Sequence, residues 1–216
     1  MKGLFDILFI TLHFFEFLPV VIGFYYYKEI KNTYWKWFLY YLVFIFTVEL
    51  MSGLSIILTD EMRRYYYGFL IIPIEFIFFY WLYAYKSLQY KKLFWLLCFV
   101  YLISFIPHYY LEREKTVVYS FNYVVGAFLL GILVFLEYLK QIRSDSIINF
   151  KHNRMFYINL GVSLLYVGTL PLFSFFSILA KDREIFVNYN IYFLLINHLM
   201  YLLFTMSFIW GKPNTY

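Results

Sequence analysis

The chain has 216 residues, of which 63% are hydrophobic, 27% aromatic and 14% charged, with a formal net charge of +5. A soluble domain carries about 25% charged residues, and 18 basic plus 13 acidic side chains are too few to cover so apolar a chain in water. The excess of positive charge is scattered over short connections and forms no compact basic domain, which excludes nucleic acid as a partner and leaves the lipid bilayer as the solvent.

Roughly 20 mostly apolar residues cross a membrane as a helix, and seven segments reach that length. They are 4–27, 35–58, 66–85, 93–111, 117–139, 155–180 and 188–210. The expected fold is therefore an all-α integral membrane protein, a seven-helix bundle forming a single domain over 1–216. The first segment is too long for a signal-peptide core and carries Glu16 in its middle, so it reads as a retained span.

The loops set the orientation. One set of ends holds Lys28, Lys31, Lys36, Lys86, Lys91, Lys92, Lys140, Arg143, Lys151, Arg154 and Lys212; the other holds Lys2, Arg63, Arg64, Arg113, Lys115, Lys181 and Arg183. Eleven cations against seven place the first set in the cytoplasm, the N-terminus outside and the C-terminus inside. Basic inner loops also suit the anionic inner leaflet. The abundance of Phe, Tyr, Ile, Lys and Asn, with three alanines, points to an AT-rich bacterial genome and a multi-pass inner-membrane location.

Ionisable residues within spans cost about 2.5–3.5 kcal/mol each at the helix centre, so they mark functional sites by default. Glu16, Glu49, Glu75 and His198 each fall near the middle of a span, the last beside Asn197. His13 precedes Glu16 by three residues and shares its helix face. The expectation is that they converge on a polar midplane pocket that binds or carries a proton, a cation or a small polar ligand. Burial and mutual repulsion favour protonated carboxyls there. Asp6, His108 and Glu137 fall near span ends, where solvation from the interface explains them.

Pro19, Pro73 and Pro171 lie within spans and are expected to kink them, freeing carbonyls near the carboxyls. Ala127 with Gly131, and Gly161 with Gly168, place small residues on one face for close helix packing. Glu16–Lys28 followed by Tyr34-Trp35-Lys36 has an echo in Glu75–Lys86 followed by Lys92-Leu93-Phe94-Trp95, suggesting related hairpins.

No HExxH, GxSxG, phosphate-cradling glycine loop or C-x-x-C is present. The lone Cys98 excludes an intrachain disulfide. Three functions stay open: binding or transport at the midplane; a sensor or membrane subunit signalling through a partner protein; and a metal-dependent lipid hydrolase. The balance is against an enzyme, no cofactor is called for, the metal is left undetermined, and a homo-oligomer is compatible with the sequence.

Overall fold

A computed structural model describes residues 2–53, 62, 65–106, 120–144, 149–175, 179 and 181–212. Among the described residues the regular structure is helical, and a lone bridge pairs Asn153 with Lys212. In chain order the α-helices are α1 (Lys2–Tyr25), α2 (Tyr27–Ile30), α3 (Trp35–Gly53), α4 (Ile72–Tyr80), α5 (Lys91–Ile103), α6 (Ser120–Arg143), α7 (Arg154–Val162), α8 (Leu170–Ser174) and α9 (Arg183–Ile209). π-Helical turns Tyr67–Ile71 and Trp81–Ser87 extend α4 at both ends, and Ser163–Val167 extends α7.

Five stretches are long and apolar enough to cross a membrane: Gly3–Tyr25, Tyr67–Ser87, Phe121–Arg143, Arg154–Ser174 and Arg183–Ile209. They correspond to the first, third, fifth, sixth and seventh expected spans. The second and fourth expected spans coincide with α3 and α5, but 54–58 and 107–111 lie outside the described residues, as do His108 and Pro107. The outward surface agrees with a bilayer solvent. Along α1, Ile7, Ile10, Phe14, Phe17, Val21 and Phe24 are all exposed, a continuous apolar face that would promote aggregation in water and is satisfied by lipid.

The chain divides into two compact units. The first comprises 1–54, 138–165 and 187–216. Here α1 packs against α3, and Phe38 stacks on Phe208 with ring centres 5.8 Å apart. Gly161 lets Met200 and Phe204 approach closely, at 3.2 Å from where its Cβ would stand.

The second unit comprises 55–137 and 166–186 and is organised around rings. Phe76 is fully buried and lies 5.5 Å, centre to centre, from each of Tyr101, Tyr123 and Tyr166. Gly126 makes room for it: a Cβ there would stand 2.6 Å from the Phe76 ring. The Tyr80 hydroxyl donates to the Gly126 carbonyl at 2.9 Å. With so few small residues, this unit gains close approach from one glycine and fills the rest with interlocking aromatic rings.

The three prolines sit in different local settings. Pro73 follows directly on a π-helical turn. It has no N–H for the carbonyl one turn upstream, and its ring pushes that turn wider. Pro171 stands in the first turn of α8, after the helix has broken at Gly168 and Thr169. Pro19 is buried inside the uninterrupted α1. Gln89, with φ 61°, adopts the left-handed conformation that turns the chain into α5.

Candidate functional site

The first unit holds a polar cluster on α1 and α9. The Nδ1 of His198 lies 2.7 Å from the Leu194 carbonyl of its own helix. A carbonyl only accepts, so Nδ1 carries the hydrogen. Nε2 then faces the Thr11 hydroxyl at 3.0 Å. In neutral His198 this nitrogen is a lone pair, and Thr11 must donate to it. Once His198 is protonated the bond reverses. The imidazolium donates to Thr11 Oγ1, and the hydroxyl turns to the Ile7 carbonyl, 2.9 Å away. The orientation of one hydroxyl thus follows the charge of one imidazole. Phe15, a turn beyond Thr11 on α1, packs against the His198 ring with centres 4.6 Å apart, which holds the imidazole in register.

Glu16 is 4% exposed, deep in an apolar span. Its Oε2 lies 3.1 Å from His13 Nδ1, one turn back on the same helix. The His13 side chain is partly open, at 31% against 5% for that of Glu16. A buried carboxyl paired with a half-open imidazole is a pair that can hold one proton between them and exchange it toward the surroundings. Pro19, on the same helix, has no N–H to donate to the Phe15 carbonyl.

The remaining expected site residues are distributed differently. Asn197 is buried, but its Nδ2 donates to the Phe193 carbonyl at 2.9 Å; that bond serves its own helix. Glu49 is half-buried on α3. Glu75 is half-buried on α4 in the second unit. Thus His13 and Glu16 pair on α1, His198 of α9 meets the same helix at Thr11 and Phe15, and Glu75 belongs to the second unit.

Three residues carry more than the sequence reading assigned. Thr11 escaped notice because a lone threonine in an apolar span is unremarkable; its companionship with His13 and Glu16 in one segment was the available signal. Glu137, expected at the interface, is instead 1% exposed and accepts from Ser87 Oγ at 2.7 Å. Its partner is 50 residues away, and no local pattern announces such a pair. Arg154, counted among the inner-loop cations, is fully buried. Its Nε donates to the Ser207 carbonyl at 3.0 Å and its Nη2 to the Gly211 carbonyl at 2.7 Å. Its guanidinium also lies over the rings of Trp35 and Phe208. Arg154 therefore caps the C-terminal end of α9, whose last carbonyls have no helical partner and carry the negative end of the dipole.

Among the described residues no group of three His, Cys, Asp or Glu side chains is placed to hold a metal ion. Exposed apolar helices and buried ionisable groups together define a helical, multi-pass membrane protein. Neither a protein-family model, a curated protein nor a solved structure matches the chain.

Proposed function

We propose that this protein is a seven-span bacterial inner-membrane protein that binds or transports a proton, or a small cation or polar ligand moving with one, through the polar cluster on α1 and α9. In this reading Glu16 is the proton carrier and His13 its exchange partner toward the outside. His198 with Thr11 registers the protonation state, and Glu49 supplies a further carboxyl within the same unit. The observation that carries it is Glu16: a nearly inaccessible carboxyl in the centre of an apolar span, paired with an imidazole. Holding such a group there costs several kcal/mol, a cost without return if the helix only needs to span. The eleven-to-seven bias of loop cations supports the orientation, with the C-terminus in the cytoplasm. The exposed apolar faces of α3 and α5 support counting both as spans.

The test is proton movement into proteoliposomes of the full chain, followed with an entrapped pH-sensitive dye. Glu16→Gln should reduce the rate at least tenfold, with Glu16→Asp retaining part of it. A Glu16→Gln protein that folds normally and moves protons at the parental rate would end this reading. The hydroxyl reorientation at Thr11 also suits a pH sensor acting on a partner protein. That reading requires a stoichiometric partner on co-purification and no proton flux from the isolated chain.

A further inference from the structure

The turn from Ser87 into α5 carries a second feature, within the second unit. Gln89, Tyr90, Lys91, Lys92, Leu93 and Leu96 line a surface groove of about 570 Å³, within the range of small-ligand sites. Its lining combines two chemistries. Lys91 and Lys92 are exposed, and between Lys86 and Lys92 there is no acidic residue. The ammonium groups of Lys86 and Lys91 lie over the Tyr85 ring, 5.2 and 5.4 Å from its centre, which gathers positive charge at one level. No side chain caps the first turn of α5, so backbone N–H groups there add donors.

One turn further the character reverses. Trp95, Leu96, Phe99, Val100, Leu102 and Ile103 are all exposed, a purely apolar face that starts at the groove and runs down α5. The candidate span Tyr67–Ser87 ends just before the groove. A ligand filling it has to bring negative charge to the lysines and hydrocarbon to Leu93 and Leu96 at once. A free anion leaves the apolar wall uncovered, and a neutral lipid leaves the ammonium groups unpaired.

We infer that this groove is a binding site for an anionic phospholipid, with its phosphate at Lys91 and Lys92 and an acyl chain along Leu93 and Leu96. The site does not rest on the proton reading, and each can fail without the other.

The experiment is native mass spectrometry of the detergent-purified full chain titrated with a dioleoyl phosphatidylglycerol, a dioleoyl phosphatidylcholine, or glycerol phosphate alone, with thermal unfolding measured in parallel. Phosphatidylglycerol should be retained and should raise the unfolding temperature; phosphatidylcholine and glycerol phosphate should do neither at equal concentration. Two lysines near an anionic headgroup correspond to roughly a thirtyfold change in affinity. The Lys91→Gln/Lys92→Gln variant should lose about that factor, and Lys91→Arg/Lys92→Arg should keep it. Leu96→Ser should weaken phosphatidylglycerol alone. Equal retention of the two lipids, equal protection by glycerol phosphate, or undiminished phosphatidylglycerol binding by the folded glutamine variant would each overturn the assignment.

Discussion

At the scale of single residues, several buried polar side chains have specific partners on another helix. Thr11 is the plainest case, since its hydroxyl joins α1 to α9 through His198. Thr11→Val keeps the shape and removes the hydroxyl. Hydrogen bonds between membrane helices are worth about 0.6 kcal/mol on average and up to about 1.7, so thermal unfolding in detergent should show a loss of about 1 kcal/mol. Arg154 is bound more firmly. Arg154→Ala strands the buried Ser207 and Gly211 carbonyls, each costing about 1–3 kcal/mol, and should lower stability by about 3 kcal/mol. Arg154→Lys should recover less than half of this, because one ammonium does not reproduce the guanidinium fork. Gly211 is the companion position. A Cβ there would stand 2.6 Å from Arg154 Cα and still closer to the Ser207 carbonyl. Neither is a flexible side-chain end, so Gly211→Ala should resemble Arg154→Ala in the same melt.

At the scale of elements, two glycines on α6 separate packing from propensity. Replacing a mid-helix glycine by alanine gains about 1 kcal/mol of helix propensity. At Gly131 the added methyl meets Val167 at 3.5 Å, an ordinary contact, so Gly131→Ala should stabilise by up to that amount. At Gly126 it meets the ring of Phe76, which is wedged among tyrosines and has nowhere to go. Overpacking costs about 1–3 kcal/mol and outweighs the gain, so Gly126→Ala should unfold at lower temperature. Opposite signs from two glycines five residues apart are readable by thermal unfolding. The sequence pointed to Ala127 with Gly131, a regular small-residue spacing, and passed over Gly126. Spacing locates a face, but only the position of Phe76 on another helix decides which glycine is indispensable. The helices themselves were legible because long apolar runs leave the backbone no alternative in lipid. At Pro171 the sequence suggested a kink within one long helix; the helix is instead interrupted at Gly168 and Thr169 and resumes with Pro171 in its first turn, where a missing N–H costs nothing.

At the scale of the whole molecule, the apolar runs announced a multi-pass helical protein, and five of the seven segments meet the requirement for spanning among the described residues. The remaining two depend on stretches beyond those residues. The sequence sets where Glu16, Glu75 and His198 fall along their helices, but not which of them become neighbours. Depth is one-dimensional, while neighbourhood depends on which helices touch, and a single sequence does not record that. The two hairpins with the Glu-to-Lys likeness fall in different units, α1 with α3 in one and α4 with α5 in the other. The proposed orientation has its own check. In a Cys98→Ser background, cysteines introduced at Lys36 and Lys151 should react with an impermeant maleimide only after the cell is opened. One at Asp182 should react in intact cells. Labelling of the first two from outside would invert the topology.

The Arg154 clasp on the end of α9 sets a timing problem for biosynthesis. The guanidinium leaves the ribosome 57 residues ahead of the Gly211 carbonyl that receives it, an interval of roughly 3–11 s at ordinary translation rates. Throughout that interval the nascent chain carries a cation whose final acceptors have not yet been made. Insertion machinery or anionic headgroups must shelter it meanwhile. Chains stopped before Ser207 would keep it unclasped indefinitely, and membrane quality-control proteases should clear them far faster than the full-length protein in a pulse-chase experiment.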